Sequence, residues 1–288
     1  MIPELTERRR PSDPARDYCQ WEFEMPVPPA PGALRTSALL YQSFEVAGVT
    51  DKMRPLMRAI QERWGRFNTV WGVKFADGEL SWEFYFYDYE RAARVHGISD
   101  YLEATRDLID CPVPARDDLP YFMFSVELTA ANLEGTPLDQ IDIYMGNPGS
   151  NVSSGICYGL RATGLEMRNF YFFFDAAREE QSIRDKITES VHFSYREVDM
   201  SQFLWPQMEG VKTIVVANKR FRDSIYFSRI RAAQLHHFLE RLEFPRGICD
   251  HLRDHQSLFD HHLFDVGWDF AYDGAAIRPT KGSFYGLL

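Results

Sequence analysis

Residues 70–88 read VWGVKFADGELSWEFYFYD and contain a pattern that the rest of the chain repeats. Two kinds of side chain alternate through its second half, with Trp82, Phe84 and Phe86 on one face and Ser81, Glu83, Tyr85 and Tyr87 on the other. Strict alternation indicates a strand with two unlike faces. The Asp77-Gly78 pair predicts a tight turn that joins this strand to a preceding one over 68–75. Tyrosines, a serine and a carboxylate on the second face suit a wet, aromatic-lined interior.

The composition bounds the class of protein. The chain has 288 residues, 45% of them apolar, and a net charge of −10. An acidic chain of this kind is neither a general nucleic-acid binder nor a binder of anionic membranes. Its four cysteines form no CxxC pair, so we expect reduced thiols and a cytoplasmic location. No apolar run is long enough to span a bilayer, and we expect a soluble protein without membrane contact.

The same alternation recurs in four further strand pairs along the chain. They are predicted at 121–129 with 139–146, 156–161 with 165–174, 211–217 with 221–229, and 264–272 with 277–287. Helical spacing or capping signals predict helices at 50–64, after Ser99-Asp100, at 176–189 and within 230–257, broken near Pro245. Residues 1–34 are rich in proline and form an arm, which is either a lid or disordered, while residues 35–288 form a single domain.

Ten strands with helices between them favour one architecture above others. The apolar faces must be covered by the helices, so the faces rich in tyrosine must meet one another. Closing the sheet removes its edges and creates a lumen. We therefore expect an α+β protein built on a ten-stranded antiparallel barrel with helices outside. The alternative is an open α+β sheet with one solvated face.

Three stretches resemble a known family. They are ADGELSWEFYF (76–86), RATGLEMRNFYFFFD (161–175) and VGWDFAYDGAAIRPTKGSFYG (266–286). They are similar to the soluble aromatic prenyltransferases of the ABBA fold, in particular the bacterial aminocoumarin-type members, whose repeated αββα units enclose a ten-stranded barrel. The order and number of hairpins match over roughly residues 40–288.

The resemblance implies an activity of secondary metabolism. A dimethylallyl or longer prenyl group would leave an allylic diphosphate inside the barrel and alkylate an electron-rich aromatic acceptor, either a small molecule or a peptide. No cofactor would be required, although Mg²⁺ is compatible with the reaction. Lysine and arginine would hold the leaving diphosphate, tyrosine faces would shield the cation, and a carboxylate would take the proton of the acceptor.

The inward-facing positions supply candidates for each role that the resemblance implies. The diphosphate-binding candidates are Lys74, Arg161, Arg222 and Lys281. The aromatic shield would comprise Tyr85, Tyr121, Tyr144, Tyr171, Tyr226 and Tyr285. The catalytic candidates are Glu83 and then Glu127. Two departures stand out, since Glu83 replaces a family arginine and Arg161 is displaced from the expected position in the third hairpin.

Two readings of other classes remain open. The barrel could bind an aromatic or lipid-like molecule without catalysis, or with a different chemistry. His251 and His255 are four residues apart, which on a helix could form a metal pair. Because no HExxH motif is present, a solvated helix face is the favoured interpretation of this pair, and a histidine-rich metalloenzyme is a weaker alternative. The absence of a DDxxD motif fits a family whose members need not share a magnesium requirement, and we expect no metal site.

Overall fold

The protein forms a closed barrel of ten antiparallel strands in a computed structural model that describes residues 7–90, 93–147, 152–192, 199–274 and 276–288. The strands are β1 (Thr69–Ala76), β2 (Glu79–Tyr87), β3 (Met123–Thr129), β4 (Ile141–Gly146), β5 (Ser154–Arg161), β6 (Gly164–Asp175), β7 (Thr213–Lys219), β8 (Asp223–Ile230), β9 (Phe264–Tyr272) and β10 (Ile277–Leu287). Each strand pairs with its neighbours in the chain, and β10 pairs with β1 to close the sheet. The predicted barrel is confirmed, and the open-sheet alternative is wrong.

Eight α-helices lie among the described residues. They are α1 (Ser37–Ala47), α2 (Thr50–Trp64), α3 (Ile98–Thr105), α4 (Ala130–Leu133), α5 (Glu180–Thr188), α6 (Ala232–Arg241), α7 (Arg246–Asp254) and α8 (Gln256–Phe259). The helix predicted over 176–189 begins only at Glu180 and ends at Thr188. No helix in the described ranges has both the length and the apolarity needed to span a bilayer.

The main core lies between the outer face of the barrel and the helices. Trp82 and Phe86 of β2 are buried, and their rings contact Phe44 of α1 and Trp64 of α2 at centroid distances of 5.6 and 4.5 Å. These are the apolar positions of the alternating pattern. Their burial outside the barrel turns Glu83 and Tyr85 toward the lumen, because successive side chains of a strand point to opposite faces.

Tyr121 is an exception to the predicted alternation. The strand predicted to start at residue 121 begins at Met123. Two residues of this segment stand opposite Tyr144 of β4, because Met123 pairs with Tyr144 and the Phe122 amide donates to the Tyr144 carbonyl. This one-residue slip reverses the alternation. Tyr121 is therefore buried in the outer core, where its hydroxyl donates to Asp117 at 2.7 Å. The prediction that Tyr121 belongs to the lumenal shield is wrong.

The described part of the N-terminal arm, residues 7–34, packs across one end of the barrel. The amide of Tyr18 donates to Asp265 of β9 at 2.8 Å, and the Tyr87 hydroxyl donates to the carbonyl of Tyr18 at 2.5 Å. Arg229 pairs with Asp17 of the arm at 2.9 Å. We call this the arm end of the lumen and the opposite end, where the β1–β2, β5–β6, β7–β8 and β9–β10 turns lie, the hairpin end. Of the two alternatives for the arm, the structure supports a cap.

Candidate active site

A closed ring of five tyrosines lies inside the barrel. Its members come from the five even-numbered strands, and they are Tyr85, Tyr144, Tyr171, Tyr226 and Tyr285. Neighbouring ring centroids are 5.9–6.4 Å apart. A regular pentagon of this spacing has its centre roughly 5 Å from each ring, within the ~6 Å reach of a cation–π contact. Burial raises the pKa of all five phenols, so the ring is uncharged.

Small residues on the odd-numbered strands make room for this tyrosine ring. Each tyrosine pairs with one residue on each of the two flanking strands, and at least one of these two partners is small, namely Gly72, Ser125, Cys157, Ala217 or Gly267. The other paired positions are Val70, Met123, Gly155, Val215 and Asp265. A Cβ on Gly267 would lie 2.2 Å from Cδ1 of Tyr226, and one on Gly72 would lie 2.8 Å from Cε1 of Tyr285. Alternation of large and small residues around the barrel thus builds the ring, as in other small barrels.

A charged compartment of about 440 Å³ lies on the hairpin side of the tyrosine ring. Its basic lining residues are Lys74, Arg168, Lys219, Arg220, Arg222 and Lys281, and its acidic ones are Glu83, Glu127, Asp142, Glu166 and Asp269. Tyr144, Tyr171, Tyr226 and Tyr285 line the compartment as well. Charged groups and neutral aromatic faces therefore meet in one cavity.

Lys74 is the centre of the first ion-pair cluster in this compartment. Its ammonium contacts Glu83 and donates to Glu127 at 2.6 Å. Although burial alone would lower it, these two carboxylates hold the pKa of Lys74 well above its usual value. Burial likewise opposes ionisation of Glu127, but Lys74 and Lys281 lower its pKa to about 2. Glu83 also accepts from the hydroxyls of Tyr85 and Ser125.

The second cluster joins Lys219 and Lys281 through Asp269. The Asp269 carboxylate lies 2.9 Å from Lys219 Nζ and 3.4 Å from Lys281 Nζ. Burial lowers the pKa of Lys281, and the charges of Lys74 and Lys219 lower it further, whereas the charge of Asp269 raises it. The ammonium of Lys281 is thus repelled by Lys74 and Lys219, and an anion bound beside it would relieve that repulsion.

Asp142 stands apart from both clusters. Its Oδ1 accepts from Gln140 at 2.6 Å, and the nearest guanidinium nitrogen, Nε of Arg168, is 3.9 Å away. Arg168 faces the cavity because the pairing of β5 with β6 shifts by one residue there, between Cys157–Asn169 and Tyr158–Met167. Burial, and then repulsion from Glu83, raises the pKa of Asp142 to about 6.

An aromatic compartment of about 240 Å³ lies on the arm side of the tyrosine ring. It shares Tyr144, Tyr171, Tyr226 and Tyr285 with the charged compartment and is also lined by Tyr85. Residues of the arm form one wall, namely Tyr18, Cys19 and Trp21. Tyr18 packs against the tyrosine ring, with its centroid 5.8 Å from that of Tyr285. The arm therefore contributes part of the wall of the apolar half of the lumen.

Most of the predicted site residues meet in this lumen. Those that do are Lys74, Glu83, Tyr85, Glu127, Tyr144, Tyr171, Arg222, Tyr226, Lys281 and Tyr285. Arg161 does not line the charged compartment, because its guanidinium turns to Asp139 at 2.5 Å and 40% of its side chain is exposed. Arg161 instead lines a neighbouring cavity of about 690 Å³, which shares Glu83, Glu127, Asp142 and Arg168 with the charged compartment.

The sequence analysis missed six charged residues that line the charged compartment, namely Asp142, Glu166, Arg168, Lys219, Arg220 and Asp269, and three of them carried a detectable signal. Lys219 continues the inward parity of Val215 and Ala217, but the predicted strand over 211–217 ends before it, whereas β7 extends to Lys219. Asp142 and Asp269 lie at predicted inward positions and were not singled out. Arg168 faces inward because of a β-bulge, which alternation cannot reveal.

The late histidines form no metal centre in the part of the chain that the structure describes. His251 lies in α7 and His255 just after it, with ring centroids 4.5 Å apart, and His255 Nδ1 contacts the carbonyl of His251. Across the described ranges, no group of three or more His, Cys, Asp or Glu side chains could hold a metal ion. The metalloenzyme alternative therefore lacks a ligand set among these residues.

Comparison with other proteins adds no family to this picture. No protein-family model matches the chain, and a search of curated proteins finds no significant match.

Proposed function

We propose that the protein transfers a prenyl group, dimethylallyl or longer, from an allylic diphosphate to an electron-rich aromatic acceptor in the lumen. The observation that carries the proposal is the juxtaposition of a basic cluster with a closed ring of neutral tyrosines. Lys281 interacts unfavourably with Lys74 and Lys219, so its surroundings favour a bound anion. The tyrosine ring borders the same cavity and offers aromatic faces to a cation.

The two halves of this site match the charges of the reaction. Charge-assisted hydrogen bonds from lysine and arginine would strengthen as negative charge builds on the departing diphosphate. The allylic cation would gain from aromatic faces that carry no strong nucleophile, because the five phenols remain protonated. The arm covers the aromatic compartment and would limit the access of water to the cation.

Binding of a donor analogue that does not ionise tests the proposal directly. Titration calorimetry would measure binding of dimethylallyl S-thiolodiphosphate, with and without Mg²⁺, to the natural protein and to Lys281→Ala. We expect binding in the natural protein and a loss of about tenfold or more in the variant, since a charge-assisted contact is removed. Lys212→Ala is the control, because Lys212 pairs with Asp175 on the surface with 60% of its side chain exposed.

Absence of binding for the thiolodiphosphate and for longer prenyl analogues would contradict the proposal. A positive result would justify incubation with dimethylallyl diphosphate and an aromatic panel of L-tryptophan, L-tyrosine and a dihydroxynaphthalene, with products analysed by mass spectrometry.

A second candidate is a barrel that binds a neutral aromatic or lipid-like molecule without catalysis. It is favoured by the ion pairs, since Lys74, Lys219 and Lys281 each have a carboxylate neighbour in the cavity. For this function, an uncharged aromatic probe such as 1-naphthol would bind with unchanged affinity after Lys281→Ala, and the diphosphate analogue would not bind.

A further inference from the structure

The carboxylates of the charged compartment differ in how far their oxygens are already engaged. Both oxygens of Glu83 accept hydrogen bonds, Oε1 from Ser125 and Oε2 from Tyr85, and Oε2 also contacts Lys74. Both oxygens of Glu127 accept as well, from Ser81 and Lys74. A proton delivered to either group would have to displace a donor or break an ion pair.

Asp269 is engaged in the same way. Its Oδ1 accepts from Lys219 at 2.9 Å and from the Ser224 hydroxyl at 2.5 Å, and its Oδ2 lies 3.4 Å from Lys281. Burial opposes ionisation, but the two lysines hold its pKa below its usual value. Asp269 is suited to hold cations in place and unsuited to accept a proton.

Asp142 has neither a lysine partner nor a second hydrogen-bond donor among the described residues. Its hydrogen bond comes from the neutral Gln140 amide to Oδ1, and it lines the charged compartment two residues from Tyr144 on the same face of β4. Since the tyrosine ring borders this compartment, an acceptor held against the ring would lie on the side that Asp142 faces.

We propose that Asp142, rather than Glu83 or Glu127, is the proton acceptor of the prenyl transfer. The inference rests on the proposed function. As the allylic C–O bond breaks, its electron pair leaves with the diphosphate, and a bond forms between the allylic carbon and the acceptor. The acceptor atom then loses its proton to the carboxylate of Asp142, which restores the neutral aromatic product, and the proton passes to water as the product leaves.

The ionisation of Asp142 supports this assignment. Burial and then Glu83 raise its pKa to about 6, while Arg168 and Lys74 oppose the rise. Cys157 of β5, Tyr144 of β4 and Tyr171 of β6 also interact with it. A general base is most effective when its pKa lies near the working pH, and Glu127, with a pKa near 2, lies much further away.

The test compares Asp142→Asn, Glu83→Gln and Glu127→Gln with the control Asp254→Asn, whose side chain is 60% exposed and pairs with Arg253 in helix α7. For Asp142→Asn we expect binding of the thiolodiphosphate within about twofold of the natural protein but a loss of roughly a hundredfold in kcat for the prenylated product, the usual scale for removal of a general base. In the natural protein, kcat/KM should rise with pH through about 6, and this limb should be absent from Asp142→Asn.

A second readout does not depend on activity. Infrared difference spectra are recorded in an Asp265→Asn background, because burial and then the charge of Asp17 raise the pKa of Asp265 to about 7, within the same range. Between about pH 5 and about pH 7, this background should show a carboxyl band that disappears when Asp142→Asn is added and remains when Asp254→Asn is added. Loss of the pH limb in Glu83→Gln or Glu127→Gln, with Asp142→Asn unaffected, would overturn the inference, as would persistence of the carboxyl band in Asp142→Asn. Failure of the natural protein to bind the thiolodiphosphate would instead count against the proposed function.

Discussion

Lys219 and Asp269 form an ion pair across the lumen, with Nζ and Oδ1 2.9 Å apart. The pair spans β7 and β9, which are separated in the sheet by β8. Its carboxylate also lies near Lys281, so one negative charge serves two ammonium groups. An incoming diphosphate would compete with Asp269 for the same cations, and this competition can be measured.

Asp269→Asn should strengthen anion binding while weakening the fold. Removing one negative charge beside two lysines should tighten binding of inorganic pyrophosphate by about tenfold, or on the order of 1.4 kcal/mol. The same change leaves Lys219 and Lys281 without their shared counter-charge and should cost about 1–3 kcal/mol of unfolding free energy. Calorimetry and urea unfolding measure the two effects. The control is Asp254→Asn, at an exposed ion pair with Arg253, which should change neither quantity. Weaker pyrophosphate binding in Asp269→Asn would contradict the idea that Asp269 competes with the anion for the lysines.

The carboxyl of Asp265 should make stability depend on pH near neutrality. Burial, and then the charge of Asp17, raises its pKa to about 7, against about 3.9 in an unfolded chain. Between these values the folded state binds more protons than the unfolded state, so the free energy of unfolding should fall as the pH rises from about 4 to about 7.

Asp265→Asn removes this titration and should flatten the pH dependence. The variant loses one acceptor oxygen at every pH, since the oxygens of Asp265 accept from the amides of Tyr18 and Arg229. The informative quantity is therefore the difference in Tm between variant and natural protein, which should shift in favour of the variant between about pH 5 and about pH 8. A difference that stays constant over this interval would show that Asp265 does not titrate there.

Arg229 should hold the arm against the barrel. Its guanidinium donates to Asp17 through Nε and Nη2 and also to the carbonyl of Glu22. In Arg229→Met the nearly buried carboxylate of Asp17 loses its cationic partner, and we expect a cost of about 2–4 kcal/mol that is concentrated in the arm. Hydrogen exchange of residues 15–24 should become faster, while exchange in β1 and β10 changes little. The control is Arg253→Met, at an exposed site. Unchanged hydrogen exchange in the arm of Arg229→Met would show that other contacts suffice to hold the arm.

Gly267→Ala should distort the tyrosine ring. The added Cβ would lie 2.2 Å from Cδ1 of Tyr226, so the phenol ring must move. Crowding of this kind typically costs about 1–3 kcal/mol. Gly155→Ala provides a matched control, because Gly155 also lines the lumen and its Cβ would meet only the Met145 carbonyl oxygen, at 3.6 Å. Thermal unfolding of both variants would measure the difference, and equal stabilities would show that the ring tolerates the displacement of Tyr226.

The alternating pattern and the turns predicted five hairpins with two unlike faces and made a barrel the expected architecture, but the open sheet was excluded only by the pairing of β10 with β1 in the structure. Alternation of period two with a tight-turn signal such as Asp77-Gly78 is local information, and five such hairpins leave few ways to bury every apolar face. The same parity predicted the five lumenal tyrosines, because the side of a strand on which a residue lies depends only on its position relative to its neighbours.

Tertiary structure alone decided where that parity fails and which charges neutralise one another. The faces to which the side chains of Tyr121 and Arg168 point are set by one-residue shifts between paired strands. Such a shift turns a side chain to the opposite face and leaves no periodic signal in the sequence. The closure of the arm end depends on contacts such as Tyr18 with Asp265, 247 residues apart in the chain. The ability of a carboxylate to accept a proton depends on its partners on other strands, which only the closed barrel brings close. Glu83 and Glu127 are already bound by hydroxyl groups and Lys74, whereas Asp142 has no lysine partner in the described part of the chain.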